Sequence, residues 1–315
     1  MAEHRRHDGH IVVAGAHVCG LFFRVDSVPA EGETVLGREF DEPEDGGKAT
    51  NQAVAIARLG APVRLVTLVG DDQRGRRWRE LLNSRGVETG YVLEAVGATD
   101  VGVVLLPPSR IPAIVSLQGL SAQLDEARVE SARAAFDHAS VVVCQLEAPW
   151  GCALASFRLG RAAGAITILN PAPAEEFPPE LLDLTDVFVP NEHEAVVFAG
   201  GPAAVADLAA RLVELHPHMS VVVTAGSDGC YVARHRESVV HVPAPQVDAV
   251  DTTGAGDGFV GALAVRLRDG DDLVTAACFA VRAAALSVTR AGTIPAYADA
   301  AELSTDAEHC RGSRL

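Results

Sequence analysis

Six short runs are apolar at nearly every position: residues 11–15, 63–69, 140–146, 166–170, 187–190 and 220–225. Continuous apolar character without alternation predicts strands covered on both faces. Between them lie Ala-rich segments with helical spacing, at 51–59, 74–84, 150–163, 203–215 and 271–288. Strands alternating with helices predict an α/β fold with a mostly parallel central sheet and helices on both faces. Two stretches break the alternation, 21–40 and 91–117, where short apolar runs are joined by Pro/Gly turns without helices. They predict a small projecting β-sheet, placed to act as a lid. The pattern gives one main domain with lid strands from 21–40 and 91–117, followed by a polar tail over 299–315 that forms a short helix.

Composition narrows the class. The chain has 315 residues, 48% of them apolar, which is enough for a large core, and 22% charged, unlike a disordered tail. No apolar run approaches the ~20 residues of a membrane span. The opening MAEHRRHDGH is charged and has no apolar leader segment, so a cytoplasmic enzyme is expected. The net charge of −16 argues against a nucleic-acid partner but leaves room for a phosphate ligand in a local pocket. Six cysteines (Cys19, Cys144, Cys152, Cys230, Cys278, Cys310) lack C-x-x-C spacing, which predicts buried reduced thiols, not a zinc site or a disulfide framework. Lys48 is the single lysine among 26 basic residues. Either a compact ammonium is needed there, or a tight glycine loop leaves no room for guanidinium.

Two segments carry chemistry. In the string DTTGAGDGF at 251–259, Gly254, Ala255 and Gly256 let a backbone approach a ligand closely. Their N–H groups open an apolar-faced helix and form a ready anion site. Asp257 sits in the first turn, where the helix dipole favours its ionised form. A carboxylate beside such a nest is placed to take the proton of an alcohol attacking a γ-phosphate. Gly256, Gly258 and Gly261 also fit a dinucleotide fingerprint, but no strong strand precedes them and no strand-ending acid follows. The second segment is GGKATNQA at 46–53, where Gly46, Gly47, Lys48 and Asn51 offer donors to sugar hydroxyls. Its spacing is not that of a P-loop.

Both strings match the signatures of the PfkB carbohydrate kinases, the ribokinase-like family, and the chain resembles that family over roughly residues 10–298. The first signature continues through Gly60 to Gly70, and the second spans 251–264. GETV at 32–35, QLEAP at 145–149, NPAPA at 170–174, PNEHEA at 190–195 and VTRAG at 288–292 extend the likeness. The resemblance implies an ATP- and Mg2+-dependent kinase of a small sugar, dimerising through its lid. It implies Asp257 as general base and Gly254, Ala255 and Gly256 as the anion hole. Gly46, Gly47, Lys48, Asn51 and Glu147 correspond to sugar-contacting positions. Asn191 and Glu194 correspond to a motif linked to the phosphates and magnesium-bound water, although the same spacing fits a capping box. Thr224, Gly226, Ser227 and Gly229 match the loop on ATP's phosphate side, or an ordinary strand-end turn. Asp251, Thr253, Ser287 and Gly292 resemble a monovalent-cation site suited to K+.

One departure stands out. The family carries Asn and Asp after the first strand to grip sugar hydroxyls, whereas this chain has Val18 and Gly20. Losing such partners changes substrate preference strongly. A bulkier or less hydroxylated substrate, filling the space at Gly20, is the alternative to ribose; a nucleoside or a non-catalytic binding role also follows from the departure. His17 reads as structural.

Overall fold

The computed structural model describes residues 9–108, 113–117, 119–304 and 313–314. In chain order the strands are β1 (His10–Ala14), β2 (Cys19–Val25), β3 (Gly37–Asp41), β4 (Val63–Gly70), β5 (Val92–Ala95), β6 (Val101–Leu106), β7 (Ala113–Ser116), β8 (Ala139–Cys144), β9 (Ile166–Leu169), β10 (Val187–Phe188), β11 (Ser220–Thr224), β12 (Cys230–Ala233), β13 (Val240–Val242) and β14 (Ser313–Arg314). The helices are α1 (Gly47–Arg58), α2 (Gln73–Ser84), α3 (Glu126–Ser131), α4 (Trp150–Ala162), α5 (Pro179–Asp183), α6 (Glu192–Phe198), α7 (Val205–Leu215), α8 (Ala255–Arg268), α9 (Leu273–Ser287) and α10 (Ala300–Ser304).

The main sheet has the order β14-β13-β12-β11-β10-β9-β8-β1-β4-β5. It is parallel from β11 through β5, and β12, β13 and β14 extend it antiparallel. Alternate residues of each central strand feed opposite cores. Ile11 and Val13 pack with α1, α8 and α9, while Val12 and Ala14 pack with α4 and α7. This is why β1 is apolar without alternation. The second sheet has the order β3-β2-β6-β7, and its residues Phe40 and Val115 are exposed.

The predicted small second sheet is present, with one correction to its strands. Residues 92–95, read as part of the lid stretch, form β5 and pair in parallel with β4 at the edge of the main sheet. Of the remainder of that stretch, 109–112 and 118 lie outside the described residues, as do 305–312 and 315 of the tail. The tail holds the expected short helix, α10, and also places β14 beside β13. Cys19, Cys144, Cys152 and Cys230 are buried free thiols as expected. Cys278 departs from that expectation because it is disulfide-bonded, and Cys310 lies outside the described residues. No helix among the described residues is long and apolar enough to cross a membrane.

Candidate active site

The sheet order runs outward from β1 to β8 on one side and to β4 on the other. A crevice at the carboxyl ends of strands forms at such a reversal. The segments following β1, β8, β9, β10 and β11 converge there with the starts of α1 and α8. A cavity of about 140 Å³ is lined by Lys48, Asn170, Asn191, Glu194, Thr224, Thr252, Gly254, Ala255, Gly256 and Asp257, with Ala172, Val189 and Val260 as its apolar wall.

The start of α8 is built to stay open. Gly254, its N-cap, is left-handed at φ 72° and offers no side-chain cap. A Cβ there would meet Thr293 Cγ2 at 2.3 Å and the Tyr297 hydroxyl at 2.8 Å, so only glycine fits. Ala255 N–H makes one long bond to Thr252 O at 3.3 Å. Among the described residues nothing accepts from the N–H of Gly256 or Asp257. A Cβ on Gly256 would have no atom within 4 Å, so its backbone faces open space. Unpaired amides and the positive end of the helix dipole fit an anion.

Asp257 is 7% exposed, and both of its oxygens are held. Gln52 Nε2 donates to Oδ1 at 3.0 Å, and Asn51 Nδ2 donates to Oδ2 at 3.3 Å. Gln52 also donates to Asn170 Oδ1 at 3.2 Å, and Asn170 in turn donates to Val189 O at 2.9 Å. Gln145 donates to Gln52 Oε1. This chain of amides fixes which way the carboxylate points. Burial pushes the Asp257 carboxyl above its ordinary value, against the pull of the Lys48 ammonium and the two amides. A buried carboxyl with a raised pKa is a stronger base once ionised.

α1 begins at Gly46 and Gly47 because neither can carry a side chain. A Cβ on Gly46 would meet Thr50 Cγ2 at 2.3 Å; Gly47 is left-handed at φ 75°, with Glu147 Oε2 3.2 Å from where its Cβ would sit. Glu147 accepts from Lys48 N–H at 2.8 Å. Burial pushes its carboxyl up to about 7, against the opposing pull of Lys48. Burial by itself would lower the Lys48 ammonium, but Asp257, Glu147, Glu194 and Asp45 together hold it above its ordinary value. Of the expected sugar-contacting residues, Lys48 and Asp257 line the cavity, Asn51 and Glu147 adjoin it through their bonds to Asp257 and Lys48, and Gly46 and Gly47 directly precede Lys48, Gly46 N–H donating to Asn51 Oδ1 at 3.1 Å.

Asn191 and Glu194 form the capping box of α6. Asn191 Oδ1 accepts from Glu194 N–H at 2.9 Å, and Glu194 Oε2 accepts from Asn191 N–H at 2.8 Å. Both residues also line the cavity. Burial raises the Glu194 carboxyl, and the Asn191 N–H and Lys48 lower it. Thr224 is bridged to Asn191 and lines the cavity. Gly226, Ser227 and Gly229 do not line it. They form the turn between β11 and β12, and a Cβ on Gly229 would lie 2.0 Å from Val242 O. Asp251 accepts from the N–H of Thr253 at 2.9 Å and of Gly292 at 3.0 Å, which unites three of the four residues of the expected cation site. Ser287 Oγ instead donates to Ala284 O within α9.

His17 is structural, as expected. It is fully buried, bonded to Thr50 Oγ1 at 2.9 Å, edge-on to Trp78, and lowered by burial to about 4. The expected vacancy at Gly20 is absent. A Cβ there would meet Phe22 Cε2 at 2.7 Å, so that ring already fills the space.

Sequence reasoning passed over Gln52, Asp45, Asn170, Gln145 and Thr252 as site residues. Gln52 carried a signal, because it is a polar residue on the helix face shared by Ala49, Ala53 and Ile56 and is fully buried. Asn170 and Gln145 stand just past strand ends, where α/β sites gather. Asp45 carried no signal.

A family model described as "pfkB family carbohydrate kinase" matches residues 10–300. The chain is 37% identical to a ribokinase of Bacillus subtilis over 287 residues, covering 90% of this chain and 94% of that protein. It is 35% identical to a deoxyribokinase of Salmonella typhi over 294 residues, covering 91% and 95%. A ribokinase of Arabidopsis thaliana, solved with ribose and ATP, superposes with a TM-score of 0.87 at 28% identity, covering 94% of this chain and 98% of its own. The matched span includes the helix start that bears Asp257, the glycine pair before Lys48, the second sheet and the main sheet apart from β14, and on that footing the chain belongs to the pfkB family of carbohydrate kinases, ribokinase-like phosphotransferases with an alcohol group as acceptor.

Proposed function

We propose that the protein transfers the γ-phosphate of Mg2+-bound ATP to a hydroxyl of ribose or a closely related pentose. The observation that carries this reading is Asp257, clamped by Gln52 and Asn51 at the open start of α8 in a cavity it shares with Lys48. Asp257 accepts the proton of the attacking hydroxyl. The free amides of Gly256 and Asp257 hold the charge of the phosphoryl group in flight, and Lys48 adds a fixed positive charge.

The side chains present suit a magnesium ion that arrives with the nucleotide. Among the described residues no three His, Cys, Asp or Glu side chains group as a metal site. Among the described residues no donor reaches one carboxylate oxygen of Glu194, which offers a hard acceptor for metal-bound water. When bound, the ion supplies neutralisation of phosphate charge. Asp251, Thr253 and Gly292, joined through the Asp251 carboxylate, are the residues that would hold K+. A homodimer through the lid, where Phe40 and Val115 are exposed, and a cytoplasmic location belong to the same reading.

A second reading is favoured by Val18, whose apolar side chain abuts Gly47 near Glu147, and by the lack of any polar side chain at Gly20, although Phe22 leaves no extra room there. There the acceptor is a less hydroxylated relative such as 2-deoxyribose, or a nucleoside. A screen of ATP consumption over pentoses, deoxypentoses and nucleosides separates the two. Ribose is expected to give the highest kcat/KM, and a nucleoside giving the highest would refute the first reading.

A further inference from the structure

Asp45 stands just before the glycine pair, and the mechanism above does not use it. Its backbone is fixed, since its N–H donates to Pro43 O at 2.8 Å and its carbonyl accepts from Gly20 N–H at 3.1 Å. Its Oδ1 accepts from Asn51 Nδ2 at 2.9 Å and from Gly47 N–H at 3.4 Å. Among the described residues no donor reaches Oδ2. The nitrogen of Asn51 that holds Asp45 is the one that holds Asp257, so a single amide bridges the two carboxylates.

The charge is what needs explaining. Asp45, Glu147 and Asp257 gather around Lys48, and the charge on Asp45 pushes the other two carboxyls up. A neutral acceptor would hold Asn51 and Gly47 equally well without that repulsion. The fold therefore calls for an oxygen at this position but not for an ionised one. Clustered like charges of this kind are tolerated at working sites and avoided in cores. The start of β2 presents no competing polar group, because Val18 is apolar, Gly20 has no side chain, and the Asp45 Cβ lies 3.3 Å from where a Gly20 Cβ would sit.

We propose that Asp45 is a specificity-determining residue whose free oxygen accepts a sugar hydroxyl other than the one phosphorylated. It selects sugars that carry this hydroxyl over their deoxy analogues. The assignment rests on the sugar-kinase reading with Asp257 as base.

The test compares wild type, Asp45→Asn and Asp45→Ala with ribose and its 1-, 2- and 3-deoxy analogues, measuring kcat and KM for each sugar and KM for ATP. Wild type is expected to discriminate against one analogue. Asp45→Ala is expected to lower kcat/KM for ribose by about ten- to a hundredfold, mainly through KM, as for loss of a hydrogen bond to a charged group. The preference for ribose over that analogue should collapse, Asp45→Asn should fall between, and KM for ATP should not move. A purely structural role through Asn51 would lower kcat for every sugar alike and leave the ratio intact, which overturns the proposal. So does a wild type indifferent to every deletion, or variants indistinguishable from it. A wild type that phosphorylates no sugar refutes the sugar-kinase reading and this assignment with it. An active wild type with an unmoved ratio refutes Asp45 alone. Thermal melting controls for folding, and Asp45→Asn, which relieves repulsion, is expected to melt no lower than wild type.

Discussion

Two helices start at the same cavity and are finished in opposite ways. α6 is closed by its own residues, with Asn191 and Glu194 each accepting the other's backbone N–H. α8 is capped by a left-handed glycine with no side chain to offer, and among the described residues nothing accepts from the amides of Gly256 and Asp257. The first start is complete within the folded chain. The second leaves amides facing the cavity. The difference separates a helix start closed by its own side chains from one left open toward the cavity. The two carboxylates differ in the same way: Glu194 is tied to backbone, while Asp257 is held by side-chain amides.

Substitutions can break this contrast, from the largest effect to the smallest. Asp257→Asn removes the base but leaves a group of the same shape. Its kcat is expected to fall by about 10²- to 10⁴-fold, with the melting temperature near that of wild type, checked by coupled ATP assay and thermal melting. At the open start itself, two glycine substitutions should part ways. Gly254→Ala forces a left-handed alanine against Thr293 and is expected to cost about 2–3 kcal/mol of stability in denaturant titration. Gly256→Ala meets nothing in the protein and should not lower stability. Its methyl group stands in the cavity, so kcat/KM for ATP is expected to fall about ten- to a hundredfold.

The closed start gives a finer separation. Asn191→Ala loses the cap and should cost about 1 kcal/mol. Glu194→Gln keeps the capping box, because glutamine serves at that position, but loses the charge. It should melt like wild type while showing a weaker response to magnesium in titrations of activity.

The smallest effect concerns pH. Glu147 ionises at about 7 in the folded protein and near 4.5 when unperturbed. Between those values the folded chain holds a proton that the unfolded chain has lost. Stability should therefore fall as pH rises from about 4.5 to about 7 and stay lower above, by about 1 kcal/mol after discounting for partial exposure. Glu147→Gln should remove that slope in melting curves. Sugar affinity should move the opposite way in wild type, improving as the carboxylate forms through pH 7.

Much of this was legible in the sequence. The central strands announced themselves because a residue buried on both faces, as in β1 and β8, leaves no polar alternation. The helix start at Gly254 was legible because small residues followed by an acid have few other uses. What was hidden lay in partner choice. β5 is a short run, and nothing in VLEA says whether it joins the lid or the main sheet. The antiparallel extension by β12 and β13 depends on two short segments, CYVA and VHV, whose pairing is decided by the sheet edge already formed. The clamp on Asp257 depends on residues 205 and 206 positions away, and the loop charge of Asp45 gains meaning only once Asn51 bridges it to Asp257. The filled space at Gly20 was invisible for the same reason, since Phe22 folds back along its own strand.

The most direct test is a crystal structure of the protein with ribose, ADP and a planar phosphoryl mimic. The account predicts an Asp257 oxygen within hydrogen-bond reach, about 2.6–3.2 Å, of the sugar hydroxyl in line with the mimic, and the amides of Gly256 and Asp257 on the mimic's oxygens. An Asp257 carboxylate turned away from both molecules, with another side chain on that hydroxyl, would contradict it.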